Sequence, residues 1–76
     1  MASIFPTRMN DKVYKQIELT CTSSTTIEDA VNTALARAGK TIKNLRWFQI
    51  TETRGDIAEN QVRHWQVTIK VGFEVE

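Results

Sequence analysis

The stretch RWFQITETRG, residues 46–55, alternates in the manner of a β-strand, yet its largest side chain stands on the unexpected side. Successive strand residues point to opposite faces, so Phe48 and Ile50 share one face and read as core. Trp47 shares the other face with Gln49, Thr51 and Thr53. An aromatic rimmed by polar groups marks an interface or a ligand site. The remainder of the chain decides what lies opposite it.

Downstream, Gly55 ends this strand and GDIAEN, residues 55–60, reads as a polar turn. From Val62 to Glu76 the alternation is the clearest in the chain. Trp65, Val67, Ile69, Val71, Phe73 and Val75 face one way; Gln66, Thr68, Lys70, Gly72, Glu74 and Glu76 face the other. The two strands therefore form a hairpin.

Upstream, IEDAVNTALARAGKTIKNL carries apolar residues at Ile27, Ala30, Val31, Ala34, Leu35 and Ala38, the stripe of an amphipathic helix. Thr25 and Glu28 match the spacing of a capping box. Asp29 suits the positive end of the helix dipole, while Arg37, Lys40 and Lys43 suit the negative end. Gly39 weakens the helix by about 1 kcal/mol. Ile42 and Leu45 extend the stripe, so the spacing predicts a helix to about Lys43. Before it, Val13 to Cys21 alternates as a first strand: Val13, Ile17, Leu19 and Cys21 on one face, with Lys15 as an exception, and Tyr14, Gln16, Glu18 and Thr20 on the other.

The order is β-α-β-β, an α+β domain with one helix over an antiparallel sheet. The helix stripe is expected to pack on Phe48, Ile50, Val67, Ile69, Val71 and Phe73. One helix covers only one face, so Trp47 is left on the other.

Seventy-six residues make one small domain, a size at which disulfides, metals or oligomerisation commonly supply stability. A single cysteine rules out an intrachain disulfide, and one Cys with one His falls short of a structural zinc site. Oligomerisation or unusually good packing remains. A net charge of +1 without a basic run gives no footprint for nucleic acid. No stretch approaches the length of a membrane span, and MASIFPTRMN lacks a signal-peptide core. The expectation is a soluble cytoplasmic protein with neither nucleic-acid nor membrane partners.

Catalytic constellations are absent from the sequence. Cys21 shares parity with Ile17 and Leu19 and reads as packing. His64 reads as a surface or interface hydrogen-bonder, and Glu28 with Asp29 as capping residues. The three glycines are too far apart for a phosphate loop. No enzyme is expected. What remains is the polar sheet face, where Trp47 offers an aromatic plane and Gln66 an amide able to read a heterocycle edge. Packing of Trp47 in a subunit interface explains the same pattern equally well.

The runs KVYKQIELT (12–20), TSSTTIEDAVNTALARAGKTIKNLRWFQI (22–50) and HWQVTIKVGFEVE (64–76) closely resemble the dodecins, small flavin-binding proteins. The resemblance covers nearly everything from Lys12 to Glu76. It implies a protomer whose sheet wraps its helix, assembled as a hollow homododecamer of cubic symmetry. It also implies flavin pairs sandwiched between symmetry-related tryptophans, Trp47 here, with Gln66 on the isoalloxazine edge. Arg54 matches an arginine near the flavin in bacterial members, although strict alternation puts it on the Phe48 face unless a bulge re-aims it. Arg46, and Arg37 with Thr41 one helical turn away, are candidates for a phosphate-bearing tail. The implied cofactor is FMN, with riboflavin able to use the same sandwich, and the implied role is storage and quenching of flavin.

Three departures accompany the match. Residues 1–11 form an N-terminal extension, expected to be flexible or a start-site artefact, ahead of a flavin-binding domain over 12–76. Cys21 stands where glycine is common. Glu74 stands where many members carry a base; in some of them this region also holds coenzyme A, whose phosphates Glu74 would repel. The competing readings are a structural shell without a cofactor, a binder of another planar or CoA-type ligand, and a flavin-dependent enzyme, which a closed stack of rings disfavours.

Overall fold

The computed structural model describes residues 11–75; the N-terminal extension at 1–10 and Glu76 lie outside the described residues. Four elements follow in the expected order: β1 (Val13–Ser23), α1 (Ile27–Ala38), β2 (Leu45–Ala58) and β3 (Gln61–Val75). The sheet is antiparallel with order β1-β3-β2, so the most strongly alternating segment is its central strand. Val67, Ile69 and Val71 of β3 are fully buried, and with Cys21, Ala30 and Val31 they form the core. Burial of each such branched side chain contributes about 1.5–3 kcal/mol. The ion pairs of the sheet lie at its surface, where solvent screening leaves them little to add, so the central strand and its apolar neighbours carry the fold.

The helix start differs from the expected capping box by one residue. Thr26 is the N-cap, in an extended conformation, and its hydroxyl accepts from the Asp29 amide at 2.9 Å. A cap of this kind stabilises by about 1 kcal/mol. The buried Ser23 hydroxyl lies behind it, donating to Asp29 Oδ2 at 2.7 Å and accepting from the Thr25 amide at 3.0 Å. Thr25 therefore serves the Ser23 hydroxyl network, and β1 reaches two residues past Cys21 to deliver that serine.

The helix also ends earlier than predicted, at Ala38 with Gly39 as C-cap. Closing turns follow, with the Thr41 and Ile42 amides both donating to Ala38 O. Asn44 takes a left-handed conformation (φ 67°) that turns the chain into β2. Gly39 and the β-branched pair Thr41–Ile42 make further helix costly, and Leu45 reaches the core from a strand instead.

The hairpin is longer than the sequence suggests. β2 passes through Gly55 to Ala58, and the turn is only Glu59–Asn60, both in the left-handed region (φ 53° and 64°). This is the two-residue hairpin turn whose twist matches the strands, and Asn60 suits it.

α1 lies over β1 and β3, with β2 beside it. The expected packing of the helix on Phe48 and Ile50 is therefore corrected: they remain 46% and 41% exposed. A cavity of about 440 Å³ opens beside them, lined also by Ile27 and Val31. The inner face of β2 is an apolar surface that the protomer's own helix does not cover.

Candidate functional site

The outward face of the sheet is assembled by register. Gln16 and Trp47 flank Gly72, Glu18 and Gln49 flank Lys70, and Thr22 and Arg54 flank Gln66. Three irregularities in β2 set which residues join this face: between Leu45 and Trp47, between Ile50 and Glu52, and between Asp56 and Ile57. The second is the bulge that the Arg54 assignment required. It places Thr51 out of phase, its hydroxyl donating to Thr68 O at 3.2 Å. Beyond it Glu52 opposes Thr68 and Arg54 opposes Gln66, while Thr53 turns to the inner face opposite Val67. The expected outward position of Thr53 is thereby overturned, and Arg54 gains the face that strict alternation denied it.

Trp47 projects outward, 40% exposed, with its indole lying across Gly72. A Cβ at residue 72 would fall inside that ring system. Gly72 is thus the platform for the indole, a role the sequence reading missed. Its signal was a glycine in the middle of the best strand.

Beside the indole, Arg46 sits within the first irregularity, and its Nε donates to Glu74 Oε1 at 3.2 Å. Lys12 Nζ lies 3.4 Å from Glu74 Oε2. Burial pushes the Glu74 carboxyl upward, but the hydrogen bonds and charges of Arg46 and Lys12 more than reverse this and leave it lowered.

At the other end of the face, Arg54 Nε donates to Gln66 Oε1 at 2.6 Å. That pair borders a cleft of about 550 Å³, lined also by Thr22, Gly55, Asp56 and His64. Arg63 donates to Asp56 Oδ2 from Nε at 3.0 Å and Nη2 at 2.5 Å, holding Asp56 below the usual carboxylate value. His64 Nδ1 is 3.5 Å from Asp56 Oδ1.

The six predicted site residues do not converge in one protomer. Trp47 and Arg46 occupy one end, Gln66 and Arg54 the other. Gly72 and Gln66 lie six positions apart on β3, roughly 20 Å at about 3.3 Å per residue. No single planar heterocycle spans that distance. Arg37 lies at the end of α1 against a separate cavity bordered by Leu19, Cys21 and Ala38. Thr41 stands in the turn after the helix, in a depression with Lys15 and Glu74. The expected pairing of Arg37 and Thr41 on one helical stripe is therefore corrected, because the helix stops between them.

Cys21 is buried, its thiol 3.3 Å from Val67 O and its pKa raised by desolvation, so it stays protonated and packs as read. Among the described residues no three His, Cys, Asp or Glu side chains could hold a metal ion, and no helix is long and apolar enough to cross a membrane.

This protomer, with an outward tryptophan on a glycine of the central strand, matches one protein family model, Dodecin, over residues 13–76. The chain belongs to the dodecin family. It is 49% identical over 65 residues to a dodecin from Thermus thermophilus, covering 86% of this chain and 94% of that protein. A tryptophan-to-phenylalanine variant of the Thermus dodecin superimposes with a TM-score of 0.82 at 47% identity, covering 87% of this chain and 98% of that one. Dodecin from Streptomyces coelicolor superimposes with a TM-score of 0.83 at 41% identity, covering 90% and 97%. A Mycobacterium tuberculosis relative, at 25% identity and a TM-score of 0.73 over 84% of this chain and 91% of its own, is described as a calcium-chelating antigen. The ligand of this dodecin has to be argued from its own side chains.

Proposed function

We propose that this dodecin binds flavin and stores it in a quenched state between copies of the chain, without catalysing a reaction. The observation that carries the reading is the separation of Trp47 from Gln66. One end of the sheet presents the indole, with Gln16 and Gln49 on the rows beside it; the other presents an amide held by a guanidinium, with no indole in its lining. Two copies placed end to end bring a Trp47 and a Gln66 to the same ring. The uncovered inner face at Phe48 and Ile50 supplies apolar surface for the association. Closed symmetry repeats such contacts, and the family resemblance suggests a homododecamer.

The fit to a flavin rests on chemistry already described. Trp47 is an electron-rich plane held flat by Gly72, suited to stacking on a planar ring. The Gln66 amide accepts from Arg54 and keeps two N–H donors for carbonyl groups on a ring edge. FMN is the flavin the resemblance suggests, and riboflavin presents the same ring. The bound flavin supplies an excitable ring, whose excited state the indole shortens by electron transfer. A stack closed by an indole on each side also denies a substrate access to the ring. A cytoplasmic pool of flavin is the setting in which such a store operates.

Titrating ligand-free protein into FMN while following flavin fluorescence tests the proposal. Saturable quenching near one flavin per subunit is expected. Unchanged fluorescence at micromolar protein would return Trp47 to interface packing and leave a shell without a cofactor.

A further inference from the structure

Two cations near the Trp47 indole converge on one acid. Arg46, adjacent to Trp47 in the chain, spends its Nε on Glu74 Oε1, and Lys12 occupies the neighbourhood of Glu74 Oε2. Glu74 is two positions beyond Gly72 on the same outward row of β3, which places its carboxylate next to the indole platform. Its backbone is tied as well, the amide donating to Asn44 O at 3.0 Å. The Glu74 side chain is only 20% exposed, against 48% for Arg46 and 54% for Lys12, so the acid is the fixed member and the two bases converge on it. A ligand phosphate arriving here would compete with a carboxylate that already takes the Nε–H of the guanidinium. It would also meet the charge of that carboxylate directly.

We propose that Glu74 sets the charge preference of the site by holding Arg46 and Lys12 in a three-member ion-pair chain and withholding both from a ligand phosphate. The inference rests on the flavin reading and deepens it. The site selects the flavin ring, and Glu74 reduces the advantage that its Trp47 end gives a phosphorylated tail over a neutral one. Arg46, expected from the sequence to receive the phosphate, instead anchors the acid beside the ring. Lys70 is a further cation on this face. It is two positions from Gly72 on the far side from Glu74, opposite Glu18 on β1, and Tyr14 is the β1 residue opposite Glu74.

The test is the ratio of riboflavin to FMN dissociation constants, measured by fluorescence quenching for wild type and for Glu74→Gln. The neutral isostere releases Arg46 and Lys12 without removing side-chain volume. It is expected to raise the ratio in favour of FMN by roughly 3- to 10-fold at low salt, and the gain should vanish near 1 M salt as exposed charges are screened. A ratio within twofold of wild type, in a variant that still binds both flavins, overturns the proposal while leaving the flavin reading intact. Glu74→Gln combined with Arg46→Gln provides a second measurement. Because the gain in the single variant comes from released cations, removing Arg46 as well should lower it. A double variant that keeps the full gain would show that Glu74 does not withhold Arg46 and would overturn the proposal. Absence of saturable quenching by either flavin with wild-type protein overturns the flavin reading, and this inference with it.

Discussion

The two ends of the outward sheet face are built from the same strands to opposite designs. At the Trp47 end an indole lies on a glycine, and Arg46 and Lys12 converge on Glu74 beside it. At the Gln66 end there is no aromatic on the outward row, and a guanidinium, an amide, a carboxylate and an imidazole surround an open cleft. A stacking platform needs a flat apolar surface, whereas edge recognition needs donors and acceptors with free valences. The Gln66 end lacks the indole, and the Trp47 end lacks an amide held by a guanidinium. On the flavin reading proposed above, the protomer is half a site twice over, and association is part of the binding mechanism.

The largest effect should come from breaking association. Phe48→Asp puts a charge on the uncovered face of β2, and burying an unpaired carboxylate costs several kcal/mol. Size-exclusion chromatography should show small species in place of the assembly, and flavin quenching should disappear with it. Quenching that survives in monomers would refute a site shared between copies.

Trp47→Ala separates the ends more gently. The assembly should keep its size while flavin affinity falls by about 1–3 kcal/mol, roughly 5- to 150-fold, the range for loss of an aromatic stacking partner. Collapse of the assembly would instead assign Trp47 to packing. Gln66→Leu, at the opposite end, should cost about 1 kcal/mol, a factor of roughly 5, since one hydrogen-bonding group is lost. A larger loss from Gln66→Leu than from Trp47→Ala would invert the comparison.

The smallest effect is on acid stability. The hydrogen bond and charge of Arg63 hold the Asp56 carboxyl below its ordinary value of 3.8, and Glu74 also lies below its ordinary 4.5. With folded-state values depressed, the unfolded chain takes up protons first as pH falls. The stability from these pairs is therefore complete above the ordinary values and is lost as pH drops through the folded ones. Melting temperature followed from pH 6 to pH 3 should fall less steeply for Asp56→Asn than for wild type. Identical slopes would show that the Arg63 pair contributes nothing. Both carboxylates lie at the surface, so the difference should be slight.

Much of this was legible in the sequence because the signals are local. Val67, Ile69 and Val71 alternate without interruption and become the buried centre of the sheet. The Ala/Val/Leu stripe begins where a threonine caps it, and Trp47 faces outward as its parity requires. The misplaced boundaries have local causes of another kind. Gly55 was read as a strand end, but β2 continues through it because the pairing with β3 runs on to Ala58. The turn needed only Glu59 and Asn60 to accept positive φ. Ile42 and Leu45 mimic a continuing helix because an apolar residue at helical spacing looks the same whether it reaches the core from a helix or from the strand that follows.

The sequence by itself determined the β-α-β-β order, the central-strand core of Val67, Ile69 and Val71 and the outward tryptophan, since periodicity, capping and turn chemistry act between near neighbours. Only the tertiary structure decided which face Arg54 occupies, because one extra residue at Thr51 reverses the phase of everything beyond it and a bulge leaves little trace in composition. It alone decided that Trp47 lies on Gly72, that Glu74 gathers Arg46 and Lys12, and that Trp47 and Gln66 stand too far apart to share a ring within one chain. Those facts depend on the register between strands distant in sequence, and register is set by the summed pairing of whole strands rather than by any stretch read alone.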